Sequence, residues 1–440
     1  MSRKQTKQSS SKHSKNAKPK NTKESKSILT RSPKQIKLSA CLIVKNEEHR
    51  LAQCLDSLKP IADQIVVVDT GSSDRTIAIA KQYDCQIFHF EWCDDFSQAR
   101  NFAIAKAKGQ WILVIDADEI LEKSAIKILE EVMQCDDYLA VNLLRTEVGA
   151  KQSPFSLVLR MFRNHTAIKF FGIYHESIDQ SITNIQKQEP HWRVINIESP
   201  VLSHYGYTES EIQTKQKSKF AKKLMEKHLQ LFPDDSYMLN KLAALHINNY
   251  SCQGDSNDLT YAMQLISQGL SQTQDKEEYN LITYELCFHL GIAYEYLGEI
   301  ELAEKSYTQA VSLQVPEVSK IAAYMNLGNI YQEINQNLEA IAYFEKVTKI
   351  APNFAQGYFN YGVALKTAGH IAAAIAAYEK AIAFEPNYAE AYQNLGVVLI
   401  KAGYFIKAIN AFTKSIQLHE LQHNYQAAEL LRSALKEFSS

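Results

Sequence analysis

Residues 64–74 read QIVVVDTGSSD, and residues 111–119 read WILVIDADE. In both stretches a nearly continuous apolar run ends in acidic and small polar residues. Such runs are typical of strands that are buried on both faces, as in a parallel sheet covered by helices. Ligands of such a sheet bind beyond the carboxyl ends of its strands. The two stretches therefore predict a buried sheet, and they direct attention to the residues that directly follow its strands.

Two further apolar runs, SACLIV at residues 39–44 and CQIFHF at residues 85–90, predict strands of the same sheet. Stretches with apolar residues three and four positions apart, which predict amphipathic helices, lie between the strands at residues 49–58, 75–83 and 97–108. This alternation predicts an α/β domain with a Rossmann-like, mostly parallel sheet over residues 38–207.

A repeated pattern occupies the C-terminal part of the chain. A large apolar or aromatic residue followed by glycine recurs at nearly even spacing, and an alanine and then an aromatic residue follow each glycine at constant offsets. The glycines are Gly291, Gly328, Gly362 and Gly396, the alanines Ala303, Ala340, Ala374 and Ala408, and the aromatic residues Tyr307, Phe344, Tyr378 and Phe412. The pattern is similar to tetratricopeptide (TPR) repeats, helix–turn–helix units whose small residues let paired helices approach closely. It predicts an all-α TPR solenoid of about four repeats over residues 278–440.

Helical periodicity without strands also fills residues 208–277, which we interpret as a helical linker. Within this linker, residues 237–272 fit the repeat pattern only in part. A degenerate additional repeat and a plain linker therefore both stay open.

The first 37 residues contain 12 of the 48 lysines and arginines but one acidic residue, so this segment carries +11 and the rest of the chain −12. The segment has almost no apolar side chains to bury, so folding it would not compensate for the loss of conformational entropy. This composition predicts a disordered basic tail over residues 1–37. A solubilising role is favoured over binding to nucleic acid or an anionic membrane. No aromatic residue interrupts the basic residues of the tail to stack on bases, so no nucleic acid partner is expected.

The remaining composition restricts the class of protein. Seven cysteines without C-x-x-C spacing argue against a disulfide framework or a zinc knuckle and favour a reducing cytoplasm. No apolar run reaches the roughly 18 residues of a membrane-spanning helix, so no transmembrane segment is expected.

Two carboxylates follow the fourth predicted strand at alternate residues, Asp116 and Asp118. Both are expected to reach the same crevice, and their hard oxygens suit Mg²⁺ or Mn²⁺. A D-x-D pattern on its own is a weak signal, because exposed carboxylates are common in turns.

The combination is more specific. CLIVKNEE, VVVDTGSSDRT, QARN at residues 98–101 and WILVIDADE resemble, in this order and spacing, the family-2 glycosyltransferases with a GT-A fold. The resemblance implies a nucleotide diphosphate sugar as donor and a divalent cation, Mn²⁺ or Mg²⁺, as cofactor. It further implies that Asp69 binds the base, that Asp116 contacts ribose or metal, that Asp118 is a metal ligand, and that Arg100 faces base or phosphate.

Further candidates follow from the same resemblance. Lys45, Asn46 and Glu47 come after the first strand, where the nucleotide is expected, although Glu47 also suits the start of a helix. The segment FGIYHE resembles a glycine-containing loop followed by the catalytic base, which assigns Gly172 to the sugar and Glu176 to the acceptor proton. A surface His-Glu pair is the alternative.

His204, in VLSHYGY, ends the last apolar stretch before the helical part of the chain. GT-A enzymes often close the metal or diphosphate site with a late histidine, and neutral imidazole is a ligand for Mn²⁺. Packing beside Tyr205 and Tyr207 at a domain junction is the alternative.

Two functions remain in competition. The first is a glycosyltransferase of the hexosyl or N-acetylhexosaminyl class that acts by direct, inverting displacement, with the repeats forming a groove for a protein or peptide acceptor or partner. The second is a TPR interaction scaffold whose sugar-nucleotide-binding domain is inactive. In the first case, removal of residues 278–440 is expected to impair acceptor transfer and spare donor hydrolysis.

Overall fold

The structure is a computed structural model that describes residues 36–150, 153–206, 215–273 and 276–439. The predicted basic tail lies outside these ranges except for its last two residues. From Ile36 onward the chain forms one compact unit. Within it we call residues 36–206 the sheet domain and residues 215–439 the helical region.

The described part of the sheet domain contains eight strands in the order β3-β2-β1-β4-β7-β6-β8-β5. They are β1 (Leu38–Val44), β2 (Gln64–Asp69), β3 (Gln86–His89), β4 (Trp111–Val114), β5 (Glu119–Leu121), β6 (Tyr138–Glu147), β7 (Phe155–Arg163) and β8 (Arg193–His204). The first four correspond to the predicted strands and pair in parallel. In the other half, β7 is antiparallel to β4 and β6, β5 is antiparallel to β8, and β6 is parallel to β8. The sheet is therefore mixed, and the four predicted strands form a continuous parallel half.

Helices cover both faces of the sheet, which explains the continuous apolar runs. They are α1 (Leu51–Leu58), α2 (Thr76–Lys81), α3 (Phe96–Ile104), α4 (Ile126–Val132) and α5 (Asp179–Gln188). Alternate residues of one strand enter different cores, so that Leu42 of β1 packs with Leu55 of α1, whereas Cys41 packs on the other face with Ala103 of α3. The sheet is thus the central layer of three.

The described helical region contains twelve α-helices. They are α6 (Lys215–Leu231), α7 (Ser236–Gln253), α8 (Ser256–Thr273), α9 (Asn280–Leu297), α10 (Ile300–Ser312), α11 (Ile321–Glu333), α12 (Asn337–Ile350), α13 (Ala355–Thr367), α14 (Ile371–Phe384), α15 (Ala389–Lys401), α16 (Phe405–Leu421) and α17 (Tyr425–Ser439). Helices α9 to α16 form four successive pairs, as the repeat spacing predicts. Helices α7 and α8 share one core, so the ambiguous residues 237–272 also form a helix pair.

The glycines of the repeats are required by close helix approach. A Cβ atom built on Gly328 would lie 2.6 Å from the ring of Phe344, and one on Gly362 would lie 2.7 Å from the ring of Tyr378. Both aromatic rings are fully buried. In each pair, the aromatic ring of the second helix therefore packs directly against the glycine of the first helix, as the repeated pattern places them.

The helical region packs directly on the sheet domain. Tyr174, in the loop between β7 and α5, packs against the core that α6 to α9 share, including Met225 and Leu239. Phe155, at the start of β7, packs against a core that includes Ile321 and Tyr324 of α11. Residues 215–273 therefore do more than link two domains, because they cover part of the first one. Among the described residues, none of the helices combines the length and the apolar character that crossing a bilayer requires.

Candidate active site

The loops after β1 and β2 interlock at the carboxyl edge of the sheet. The backbone N–H of Asn46 donates to Ser72 Oγ at 3.0 Å, and the N–H of Ser73 donates to Asn46 Oδ1 at 2.8 Å. Asn46 has a left-handed backbone with φ of 58°, which asparagine adopts more readily than most residues. Its side chain therefore joins the two loops, and its predicted contact with the nucleotide stays a prediction.

The two neighbours of Asn46 differ in their surroundings. Lys45 is exposed at the end of β1. The backbone N–H of Glu47 donates to Thr76 Oγ1 at 2.7 Å, and its carbonyl accepts from the N–H of Arg50 at 3.1 Å. The backbone of Glu47 thus leads into α1, and both predicted roles of its side chain, toward the nucleotide and toward the start of a helix, stay predictions.

Asp69 ends β2 with a carboxylate that the following turn holds in place. The residue is only 7% exposed. Its carboxylate accepts from the N–H of Gly71 at 3.2 Å and of Ser72 at 3.1 Å, and Nδ1 of His89 lies 3.5 Å from Oδ2. The sequence TGSS after the aspartate therefore forms the turn that orients this carboxylate at the edge of the sheet.

Asp116 lies between two guanidinium groups. Arg100 Nη2 donates to its Oδ1, and Arg160 Nη2 donates to its Oδ2 at 3.1 Å. Burial raises the pKa of Asp116, but the charges of Arg100 and Arg160 outweigh burial and hold this pKa well below its ordinary range. Because each carboxylate oxygen already accepts from a guanidinium, the contacts favour a ribose contact over metal coordination for Asp116.

Asp118 and His204 meet although they lie far apart in the sequence. The antiparallel pairing of β5 with β8 sets Glu119 opposite His204 and thereby brings the two side chains together. Asp118 Oδ2 lies 3.4 Å from His204 Nε2, and Nδ1 of the same ring lies 2.6 Å from Glu147 Oε2. A Cβ atom built on Gly206 would lie 2.5 Å from His204 Nε2, so only glycine leaves room for this ring position.

His204 is basic in this arrangement. Burial lowers its pKa, but hydrogen bonds with Asp118 and Glu147 outweigh burial and raise it to about 9. The imidazolium then balances the two carboxylates. A divalent cation bound to Nε2 would replace this proton, as metal binding to histidine generally does.

Asp118 and His204 are the two residues that would hold the predicted cation. Asp118 supplies a carboxylate oxygen and His204 an imidazole nitrogen, a donor set that suits Mn²⁺ or Mg²⁺. Within the described residues, no group of three histidine, cysteine, aspartate or glutamate side chains is placed to hold an ion. Arg50 Nη1 also lies 3.7 Å from Asp118 Oδ2. An ion at Asp118 and His204 would need further ligands from outside the described side chains, such as phosphate oxygens and water, and the predicted cation stays a prediction.

Glu176 lies in a closed loop after β7. Backbone hydrogen bonds of 2.8 and 2.9 Å between Phe171 and Ser177 close the loop. Gly172 has φ of 107°, a backbone conformation that residues with a Cβ atom rarely adopt, so glycine lets the chain fold back on itself. The side chain of Glu176 is 8% exposed, and its Oε1 accepts from Arg100 Nε at 2.9 Å. Gly172 thus shapes the loop that presents Glu176.

Several charged groups that support the site were missed by reasoning from the sequence. Arg160 interrupts the apolar strand FSLVLRMF, and this isolated charge is the one signal of its role. Arg145 forms ion pairs with Glu119 at 2.7 Å and with Glu147 at 2.8 Å beneath His204.

The Nη1 atoms of Arg100 and Arg160 are buried without a hydrogen-bond partner among the described residues. Two unpaired cationic donors beside Asp116 are suited to an anionic ligand.

Family models match both parts of the chain. The model of glycosyl transferase family 2 matches residues 39–196. The tetratricopeptide repeat model matches residues 284–314, 321–354 and 389–420, and a TPR repeat model matches residues 367–403.

The curated relatives that match this chain include a TPR repeat-containing protein and a glycosyltransferase. A TPR repeat-containing protein of Synechococcus elongatus is 37% identical over 300 residues, which cover 68% of this chain and 72% of the relative. The SPbeta prophage-derived glycosyltransferase SunS of Bacillus subtilis is 31% identical over 198 residues, which cover 44% of this chain and 45% of SunS. The second match thus spans less than half of either chain.

Solved TPR structures resemble part of the fold. YrrB, described as a TPR protein with an unusual peptide-binding site, matches 49% of this chain and 100% of its own with a TM-score of 0.38 and 18% identity. MamA of Desulfovibrio magneticus matches 42% of this chain and 97% of its own with a TM-score of 0.35 and 22% identity. Together with the three family models, the curated relatives identify the parts of the molecule: the chain belongs to glycosyltransferase family 2, and tetratricopeptide repeats follow its glycosyltransferase domain.

Proposed function

We propose that this glycosyltransferase moves a sugar from a nucleotide diphosphate sugar to a nucleophilic group of a protein or peptide, by direct displacement with inversion. One observation carries the proposal: Arg100 donates to both Asp116 and Glu176. One guanidinium therefore links the candidate donor-binding carboxylate to the candidate base, which lie far apart in the sequence.

The donor occupies the carboxyl edge of β1, β2 and β4. Asp69 accepts a hydrogen bond from the nucleobase, and Asp116 accepts one from a ribose hydroxyl. Arg100 and Arg160 keep the carboxylate of Asp116 ionised. The unpaired Nη1 atoms of these arginines donate to phosphate oxygens. Asp118 and His204 would hold a divalent cation, which would supply positive charge to the departing diphosphate.

Glu176 acts on the acceptor. Arg100 engages Oε1, so the acceptor proton goes to Oε2 as the nucleophile attacks the anomeric carbon. The ion pair with Arg100 and the closed loop hold this carboxylate in one position, which supports its role as a general base. A single base and a direct attack give inversion at the anomeric carbon.

The acceptor approaches between the Glu176 loop and the helical region. Tyr174 packs against residues of α7, which places that helix beside the loop. On the same helix, Lys241 Nζ donates to Glu285 Oε2 of α9 at 2.7 Å, and Asn240 Nδ2 donates to the same oxygen at 2.6 Å. These groups satisfy one another, and Asn240 is fully buried, so they stabilise the packing of α7 on α9. The repeat array that follows favours a peptide or protein over a small acceptor.

The test is transfer with a defined set of donors. Purified protein, Mn²⁺ or Mg²⁺ and a panel of nucleotide diphosphate sugars are incubated with a bacterial lysate, and intact mass spectrometry detects modified proteins. A hexose or N-acetylhexosamine increment identifies donor class and acceptor together. The Glu176→Gln variant is the matched control for enzyme-dependent modification.

Binding separates the two competing functions. Isothermal titration with uridine diphosphate and guanosine diphosphate, each with and without Mn²⁺, measures donor-site occupancy in the folded protein. Metal-dependent binding together with transfer supports the enzyme. Folded protein that binds neither nucleotide and releases none from any donor would instead support a scaffold with an inactive domain.

A further inference from the structure

A buried histidine of the helical region contacts the loop that carries Glu176. His228 lies in α6 and is fully buried. The backbone N–H of Ile173 donates to His228 Nδ1 at 3.4 Å. On the other side of the ring, Nε2 lies 2.8 Å from Asp235 Oδ2. His228 thus stands between the loop and the start of α7.

These two contacts define the tautomer of His228. A carboxylate accepts hydrogen bonds, so Nε2 carries the proton that is donated to Asp235, and Nδ1 is left as the acceptor for Ile173. Asp235 also caps α7, because its Oδ1 accepts from the N–H of Met238 at 3.0 Å. The start of α7 therefore fixes the ring that receives the loop.

The same residue of the loop is held from the opposite side. The carbonyl of Ile173 accepts from the N–H of Phe96 at 2.9 Å. Phe96 is the first residue of α3, the helix that carries Arg100. The backbone of Ile173 is therefore hydrogen-bonded to residues of both α6 and α3. Helix α3 also carries Arg100, which binds Glu176.

The loop needs such support because its backbone is strained. His175, next to Glu176, has φ of 53°, in the left-handed region that residues with a Cβ atom seldom occupy. Such conformations persist where the surroundings enforce them. Ring contacts add to the hydrogen bonds, since the ring centre of Phe171 lies 5.6 Å from that of His228 and 5.0 Å from that of Phe232.

We propose that His228 is a positioning residue for the transfer reaction, which holds the Glu176 loop through Ile173 and is itself oriented by Asp235. The inference rests on the proposed role of Glu176 as base. It makes α6 and the start of α7 part of the active site, although the sequence presents them as a linker. His228 acts through the loop and touches neither donor nor acceptor.

Variants of the full-length chain separate the two contacts. Asn places an acceptor near the position of Nδ1, so His228→Asn keeps the bond from Ile173 and gives up the bond to Asp235. Gln places a donor near the position of Nε2, so His228→Gln keeps Asp235 and leaves the N–H of Ile173 unpaired. Asp235→Asn keeps the cap of α7 but presents an amide N–H to Nε2, which favours the tautomer that cannot accept from Ile173.

His246 provides a matched control. It is a second buried histidine of the helical region, and its Nδ1 pairs with Asp258 of α8. His246→Gln therefore disturbs a buried His-Asp pair that makes no contact with the Glu176 loop among the hydrogen bonds and ring contacts of the described residues.

Two measurements are made on each variant: steady-state transfer, and hydrogen–deuterium exchange of the peptide that contains residues 171–177. His228→Gln and Asp235→Asn are expected to lower kcat by about 10- to 100-fold, the scale of a misplaced catalytic group, with the donor KM unchanged. Exchange of the loop peptide rises in parallel. His228→Asn stays close to wild type in both measurements, and so does His246→Gln.

Two results would overturn the proposal. One is wild-type kcat and loop exchange in His228→Gln. The other is an equal loss in His246→Gln, which would make the effect one of general stability. If the wild-type protein transfers no sugar at all, the proposed function fails, whereas loop exchange in His228→Gln and His228→Asn still decides whether this histidine holds the loop. If His228→Gln does not fold, His228→Asn and Asp235→Asn provide the same comparison.

Discussion

Nε of Arg100 lies 2.9 Å from Oε1 of Glu176. Nη2 of this guanidinium donates to Asp116, and Nη1 is buried without a hydrogen-bond partner among the described residues. The planar fork of arginine is what permits contacts in several directions from one buried side chain. In the proposed mechanism, the guanidinium of Arg100 therefore positions both the sugar donor, through Asp116, and the general base, Glu176.

Arg100→Lys tests this shared position. Lysine keeps the charge but cannot donate to Asp116 and Glu176 in the geometry of the fork. We expect kcat/KM for transfer to fall by roughly 10²-fold or more, the scale of a lost charge-assisted contact in a buried site. Arg75→Lys, at an exposed arginine after the TGSSD turn, is the control. Unchanged kcat/KM in Arg100→Lys would show that charge alone suffices.

The Glu176→Gln variant tests whether Glu176 is the general base of the transfer reaction. The amide oxygen of glutamine still accepts from Arg100, so the loop keeps this hydrogen bond while the proton acceptor is lost. Turnover is expected to fall by roughly 10²-fold or more with donor affinity preserved, as for loss of a general base. Steady-state kinetics and nucleotide titration measure the two quantities. Glu198→Gln, on the exposed part of β8, is the control. Loss of donor binding instead would assign Glu176 to binding.

Asp118→Asn tests the cation site. An amide is a weaker ligand for a hard divalent cation than a carboxylate, so the variant should need far more Mn²⁺ for half-maximal transfer while its melting temperature stays near that of wild type. A Mn²⁺ titration of transfer activity gives the comparison, with Asp56→Asn as an exposed control. Wild-type Mn²⁺ dependence in Asp118→Asn would end the assignment of Asp118 as a ligand.

The fold could be predicted where one local pattern determines it. The continuous apolar runs identified β1 to β4, and the spacing of glycine, alanine and aromatic residues identified the repeats. Strand β5 was not found because it is very short, Glu119–Leu121, and one of its residues is a buried charge. Strand β8 contains Pro200 and exposes several side chains, so its pattern lacks the continuous apolar run of a central strand.

The site could be predicted only in part for a related reason. The carboxylates Asp69, Asp116 and Asp118 follow strands, and strand ends are visible in a sequence. Arg160 and His228 act through residues far away in the chain, and their partners follow from the pairing of β7 with β4 and the packing of α6 on the loop. Such contacts depend on tertiary structure, which spacing along one chain does not encode.

Gly362→Val tests the close approach of the repeat helices. The added side chain meets the buried ring of Tyr378, which has little space to move. Overpacking of this kind costs about 1–3 kcal/mol in the free energy of unfolding. Chemical denaturation measures it, with Ala376→Val at an exposed position of α14 as the control for helix propensity. Equal stability of the two variants would show that the helices separate easily.

Truncation tests how far the sheet domain depends on the helical region. From the sequence, removal of residues 278–440 is expected to spare donor hydrolysis. In the structure this cut removes Ile321 and Tyr324, which cover Phe155 of β7, and Leu286, which belongs to the core beneath Tyr174. We therefore expect this variant to lose donor hydrolysis together with transfer, and to melt at a lower temperature.

A second truncation supplies the contrast. Removal of residues 386–440 deletes α15 to α17 and leaves the covers of Phe155 and Tyr174 in place. Since repeats contact mainly their neighbours, the loss of the last helices should not reach the donor site. Donor hydrolysis is then expected to stay near the full-length rate, while acceptor transfer falls if the acceptor uses the end of the array. Nucleotide release, acceptor glycosylation and melting temperature are measured for both variants. Full donor hydrolysis after removal of residues 278–440 would instead mean that the sheet domain holds the Glu176 loop without the repeats.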